Sequence, residues 1–310
     1  MNWILLATVG QFLNAIVAVL DKYIVSDEKV MPKPFVYAFY SCLLTGFWVV
    51  IYFVGSIPFL AKLGMPTFAH VQAPTIQVIS MAFLTAYTFF MALVSMYDSL
   101  READASTVMP IIGTVSALST FGMSYLFLHV SLSHGHIFGI LLISLGTLLV
   151  ARSLPRMNVV LHVVHSGVFF GLHYITMKGL FLQTSFDDGF FWSRVCFVLF
   201  ALSLLLVPVY LDEIKKQTKT TSKKTGVLVL SAKIIAGVSA FLILKATDWG
   251  DVTVVQALDG IRFVFILFIT ALFAHWLPES ATDRDTRPQV FVRRLIFTII
   301  ITAGFFMLFT

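Results

Sequence analysis

Apolar residues dominate ten stretches of the chain, at about 3–20, 35–54, 75–97, 104–127, 136–151, 158–180, 189–211, 226–247, 251–277 and 291–309. Most are close to the roughly 20 residues that an α-helix needs to cross the hydrocarbon core of a bilayer. Polar residues gather between them. The longest connections, about 55–74, 212–225 and 278–290, are too short to bury a core of their own. The pattern predicts an all-α membrane protein of ten transmembrane helices, with its chemistry placed inside the membrane.

Composition agrees with that pattern. Hydrophobic residues make up 58% of the 310, charged ones only 12%, and the mean hydropathy is +0.92, beyond the range of a soluble globular domain. Cys42 and Cys196 both fall in apolar runs, where a thiol acts as a small hydrophobe, and their pattern indicates no disulfide or metal motif. The opening MNWILLATVGQFLNAIVAVL has no basic region before its apolar stretch and no small-residue cleavage site after it, so it reads as the first helix rather than a signal peptide.

A net charge of +5 would suggest nucleic acid in a soluble protein, but here the basic residues read as topology signals. Connections after odd-numbered helices hold Lys22, Lys29 and Lys33; Arg101; Arg152 and Arg156; Lys215, Lys216, Lys219, Lys223 and Lys224; and Arg284, Arg287, Arg293 and Arg294, which is 15 of the 21. Connections after even-numbered helices hold Lys62, with Lys178 and Lys245 at helix ends. The bias places the odd connections in the cytoplasm and both termini outside. The run DEIKKQTKTTSKKTG then reads as a solvated cytoplasmic loop against anionic headgroups. No nucleic-acid partner is expected.

The chain repeats itself. DASTVMPIIGTVSALSTFGMSYLFL from Asp104 matches DVTVVQALDGIRFVFILFITALFAHW from Asp251. LDKYIVS around Lys22 answers TMKGLFL around Lys178, PFVYAFYSCLL from Pro34 answers GFFWSRVCFVL from Gly189, and the last helix of each half carries a Gly motif at Gly146 or Gly304. Residues 1–152 and 153–310 are therefore read as two five-helix repeats in one transmembrane unit. An odd helix count forces the copies into opposite orientations. Inverted repeats mark alternating-access transporters, with the substrate near the midplane.

These features together resemble the drug/metabolite transporter superfamily, specifically its EamA-type members with two five-helix repeats. The resemblance rests on the loop leading into DASTVMPIIG, Pro110 in the fourth helix, HIFGILLISLGTLLVAR and the Gly spacing of the repeat ends, and it spans about Trp3 to Phe309. Two features depart from the family. HVSLSHGH near His129 lacks the acidic residue such repeats often carry after the fourth helix, although Glu279 in WLPE occupies the equivalent place in the second half. Family members are also described with both termini in the cytosol. The resemblance implies secondary transport of small organic solutes without ATP hydrolysis, and the chain has no GxxxxGK[ST] loop for nucleotide phosphates.

Candidate site residues follow from charge and depth. Lys233, Asp259 and Arg262 lie in apolar runs of the second half, whereas the matching positions of the first, about Thr85, Ile112 and Val115, are uncharged. A charge near the bilayer centre costs at least about 2.5–3.5 kcal/mol, so it faces a partner or a watery cavity. Asp259 and Arg262, three residues apart, share a face and can pair. Lys233 lies about a third of the way into the eighth helix, roughly 10 Å from its nearer end, with no other carboxylate expected at that depth. Backbone carbonyls at Gly237 or on a neighbouring helix, loss of its proton, or an anionic substrate would each satisfy it. Arg194, beside Trp192 near the start of the seventh helix, is either an interfacial anchor or, turned inward, a third cation.

His165 and His173, two turns apart in the sixth helix, are candidates for packing, proton coupling or substrate contact; with His162 they lack the Cys or carboxylate companion of a metal site. Gly167 and Gly171 between them suit close helix packing. Gln11 and Asn14, Thr85, Tyr87 and Thr88, and Gln256 are uncharged candidates for contact with the body of a solute. Most of the 31 Phe need no role beyond packing. Trp48, Tyr52, Trp192, Tyr210 and Trp276 suit an interfacial belt. Pro110, Pro208, Gly113 and Gly260 are candidate bending points.

The expected protein is a secondary transporter in the cell membrane, plasma or inner, with no cofactor. Its cavity lies between the first, third and fourth helices and the sixth, eighth and ninth. Lys233 and Arg262 receive a small metabolite whose excess-cation site favours an anionic or phosphorylated group, while Asp259 balances the empty site or carries a coupling proton; a counter-substrate is the alternative driving partner. A flippase of lipid-linked phosphosugars would use the same cations through a lateral groove. An intramembrane enzyme using His165 or His173 would lack a nucleophile, metal cluster or paired carboxylates, and a receptor or scaffold would lack a soluble partner-binding domain.

Overall fold

A computed structural model describes residues 2–26, 33–62, 64–103, 105–129, 132–150, 156–220, 223–272 and 288–307. Among these residues the regular elements are all helical and there is no strand. The main helices are α1 (Asn2–Ser26), α2 (Pro34–Gly46, continued through a 3₁₀ turn and Ile51–Gly55), α3 (Ile76–Glu102), α4 (Ala105–Phe127), α5 (His134–Val150) and α6 (Met157–Gln183). They are followed by α7 (Phe186–Leu204), α8 (Pro208–Thr220), α9 (Lys223–Trp249), α10 (Val252–Ala257), α11 (Ile261–Leu272) and α12 (Pro288–Met307).

Among the described residues six helices are long and apolar enough to cross a membrane, or seven if a bent pair counts as one span. The chain is an integral multi-pass membrane protein. The helices begin where local chemistry dictates. Pro34 occupies the first turn of α2, where its missing N–H costs nothing. Thr75 caps α3 by accepting from the Val78 amide at 3.3 Å, and Ser185 caps α7 by accepting from the Asp188 amide at 3.1 Å. Asp187 and Asp188 in the first turn of α7 complement its dipole.

Two sequence expectations change. The apolar run at 189–211 is not one helix: α7 stops at Leu204, and the chain turns by 99° before α8 starts at Pro208. Part of the lysine-rich stretch read as a loop is therefore helical, with Ile214 buried and Lys215, Lys216 and Lys219 exposed, as suits a helix lying along a bilayer surface. The run at 251–277 is also interrupted, since a 3₁₀ turn at Leu258–Gly260 separates α10 from α11.

Helix α1 packs along α9, and α3 along α6; α4 also packs on α6, and α5 crosses α12. Gly167 and Gly171 let α6 approach α4, since a Cβ at Gly167 would lie 2.6 Å from Val115 Cβ and one at Gly171 3.0 Å from Ser119 Cβ. Tyr52 does not face outward as a belt residue would. It is wholly buried, and its hydroxyl donates to the Asp187 carbonyl at the start of α7. Trp192 does sit at that end, donating to the Gln72 carbonyl at 3.0 Å. Trp276 and Glu279 lie outside the described residues.

Candidate functional site

A cavity of about 150 Å³ opens among α1, α2, α3, α4, α6, α7, α9 and the broken segment α10–α11. Its aromatic and aliphatic walls include Phe89, Leu93, Met96, Phe170, Tyr174 and Phe197. Set into them are Asp21, Arg194, Lys233, Asp259 and Arg262, three cations against two carboxylates, which leaves one positive charge in excess. Both halves of the chain supply the lining, and α2 and α7 join the helices expected from sequence.

Lys233 has an acidic partner after all. Its Nζ donates to Asp21 Oδ1 at 3.1 Å and to the Tyr97 hydroxyl at 3.0 Å, and lies 4.0 Å from the centre of the Tyr37 ring. Tyr37 also donates its hydroxyl to Asp21 Oδ1. The sequence reading ended the first helix near residue 20 and so placed Asp21 in a connection. In fact α1 runs on to Ser26, which carries Asp21 into the bundle. The positional signal was present: Asn14, Val17, Ala18 and Asp21 follow the i, i+3, i+4, i+7 spacing of one helix face, and all four line the cavity. Gly237 is not the partner proposed for Lys233; the Trp48 indole packs over it.

Asp259 and Arg262 do pair, with Arg262 Nη2 donating to Asp259 Oδ2 at 2.8 Å. The pair joins the 3₁₀ turn, which holds Asp259, to the first turn of α11, which holds Arg262. From α1, Asn14 Nδ2 donates weakly to Gln11 Oε1 at 3.4 Å. Gln11 thus supports the site from behind and does not line it, whereas Asn14 does. Gln256 lines the cavity with its Nε2 unpartnered among the described residues, as is Arg262 Nε.

Arg194 is the largest departure from the interfacial reading. It is only 2% exposed and sits mid-helix, eight residues after Phe186 and ten before Leu204, or roughly 12 and 15 Å from the two ends. The guanidinium lies 4.6 Å from the Phe190 ring centre and 4.7 Å from that of Phe197. Its Nε donates to Ser193 Oγ at 3.3 Å, and Nη2 has no hydrogen-bond partner among the described residues, which also give it no carboxylate. A desolvated cation–π contact contributes about 2 kcal/mol, against several for burying an ion. The rings hold the group without neutralising it.

The two histidines part company. His173 lines the cavity, and its Nδ1 donates to the Thr85 carbonyl at 3.0 Å. His165 instead meets Ser95 Oγ at 2.7 Å, packs at a tilt against Phe169 and lies outside the lining. Eight residues of α-helix overshoot two turns by about 80°, enough to separate them. Thr85 is buried, with its hydroxyl donating to the Ala82 carbonyl at 2.7 Å, and contributes only the carbonyl that His173 uses. Tyr87 is 41% exposed, packed against Phe169 and Phe200 outside the cavity. Among the described residues no group of three or more His, Cys, Asp or Glu could hold a metal ion.

Fold and site define a class: a helical membrane protein with a charged cavity within its bundle. No family model matches the chain, and no curated protein matches it. A solved crystal structure, described only as that of a protein, superposes with a TM-score of 0.63 over 96% of this chain and 94% of that chain, at 14% identity. At such identity the likeness shows a shared fold across nearly the whole length.

Proposed function

We propose that the chain is a secondary transporter that moves a small organic solute by alternating access, built from ten membrane helices in two inverted repeats, residues 1–152 and 153–310. The observation that carries this reading is the cavity itself: buried charges from both halves converge on it inside a membrane bundle, and charge at such depth is characteristic of a solute or ion path. The packing supports the duplication. If α6 and α9 are the second-repeat counterparts of α1 and α3, then α1 against α9 and α3 against α6 are one contact made twice. The contacts of α2 with α7, of α4 with α10 and of α5 with α12 each join counterparts. The Gly motifs that end the two repeats meet there: a Cβ on Gly146 would lie 2.8 Å from Ile301, and one on Gly304 2.8 Å from Ile143.

The resemblance to EamA-type drug/metabolite transporters points the same way and takes the chain as a carrier, not an enzyme. In the mechanism proposed, the Asp21–Lys233 bond ties α1 to α9 across the two halves and must break when one repeat rocks against the other. Asp259 and Arg262 sit on the broken segment that can bend with that movement. Proteoliposomes loaded with a mixed metabolite pool test the reading by counterflow. Lys233→Ala and Arg262→Ala are each expected to abolish exchange, and wild-type exchange in both would overturn the site.

A further inference from the structure

Of the three cations in the cavity, Arg194 alone has no carboxylate partner among the described residues: Lys233 is bonded to Asp21 and Arg262 to Asp259. We propose that Arg194 is the anion seat of the cavity, and that the preferred solute is a small organic monoanion whose single carboxylate docks on its guanidinium. This rests on the transport reading in taking the cavity as the solute's place.

Three features argue for it. Arg194 is 2% exposed and lines the cavity, yet its Nη2 meets no acceptor among the described residues. A guanidinium presents a planar fork that matches a carboxylate with two parallel hydrogen bonds. Phe190 and Phe197, within 4.7 Å of Cζ, fix that plane without consuming its donors. The second feature is charge. Three cations against two carboxylates leave one positive charge, which one carboxylate neutralises and a dianion overshoots. Thirdly, Gln256 Nε2 and Arg262 Nε on the same lining are further donors without an acceptor among the described residues, whereas both carboxylates have cation partners; the wall offers hydrogens to an acceptor-rich solute. The aromatic lining suits an apolar body behind the anion.

The test uses the purified full chain in nanodiscs and four probes of matched size: benzoate, phenyl phosphate above pH 7.5 as the dianion, neutral benzamide and cationic benzylamine. Equilibrium binding of radiolabelled benzoate, with the others as competitors, is expected to rank benzoate first. Arg194→Gln is expected to weaken benzoate at least ten-fold, and Arg194→Lys, which keeps the charge and loses the fork, to fall between. Removing an uncompensated buried cation should leave the ligand-free unfolding temperature unchanged or higher, which a structural role for Arg194 would not. The proposal is overturned by an absence of saturable benzoate binding, by benzamide or phenyl phosphate binding as tightly as benzoate, or by benzoate affinity that survives Arg194→Gln. Should Arg194→Gln not fold, the probe ranking and Arg194→Lys decide alone. Arg194-dependent binding with no uptake into vesicles would remove the transport reading only; benzoate uptake indifferent to Arg194→Gln would remove this inference only.

Discussion

Asp21 and Lys233, 212 residues apart in sequence, are bonded at 3.1 Å inside the membrane bundle, with the side chains of Tyr37 and Tyr97 closing over the pair. Both side chains are less than a tenth exposed. Taking one partner away strands the other charge, at a cost of about 3–5 kcal/mol, whereas replacing both with apolar groups is often close to neutral. Asp21→Ala and Lys233→Met are each expected to destabilise strongly, and the double variant to recover most of the loss. Unfolding in mixed detergent micelles measures the cycle, and strictly additive losses would show that the two groups do not interact.

Gly113 faces the other ion pair. A Cβ there would lie 2.7 Å from Asp259 Oδ2. Gly113→Ala should therefore push the carboxylate off Arg262 and cost about 1–3 kcal/mol, the usual range for overpacking. In an Asp259→Ala background the obstructing oxygen is gone, and the same substitution should cost almost nothing. An equal cost in both backgrounds would mean that the new methyl meets something else.

The crossing of α5 and α12 gives a prediction about packing alone. Gly146 and Gly304 each leave room for an isoleucine of the opposite helix, Ile301 and Ile143 respectively. Gly146→Val and Gly304→Val are expected to destabilise by about 1–3 kcal/mol through overpacking. Gly122 in α4 supplies the contrast, since a Cβ there meets nothing within 4 Å. Gly122→Ala should be neutral or stabilise by about 0.5–1 kcal/mol, because alanine loses less freedom in a helix interior. Unfolding midpoints for the three variants decide it; a loss at Gly122 matching that at Gly146 would remove the steric explanation.

The all-α membrane class was legible because apolar runs report burial in lipid directly. Helix ends were less so, and the errors at the site follow from them. Asp21 was missed because LDKYIVS looks like a connection when two charges follow an apolar run, although the helix continues through Ile24, which is fully buried. Arg194 was judged shallow by counting from Gly189, but α7 starts at Phe186 and ends early at Leu204, which moves the same residue to mid-depth. Asp259 with Arg262 was readable, since three-residue spacing on a helix is local. The Asp21–Lys233 and Arg194 environments are tertiary, and no spacing rule brings α1 to α9.

The orientation of the whole chain can be tested through α8. Lys215, Lys216 and Lys219 project from a helix that leaves α7 at 99°, and Lys33 pairs with Glu213 on it at 2.5 Å, so α8 shares its side of the membrane with the α1–α2 connection. By the positive-inside bias that side is cytoplasmic, and the opposite connection, with exposed Ala69, faces out. Cys42 and Cys196 are both buried, so single cysteines introduced at the surface report without interference once these two are replaced. An impermeant maleimide on intact cells is expected to label Ala69→Cys and to leave Lys219→Cys unreacted until the membrane is opened. The reverse pattern would place both termini in the cytosol, as in the family that the chain resembles. The lysines of α8 would then mark the outer face, and the charge bias would have to serve contact with anionic groups there instead of topology.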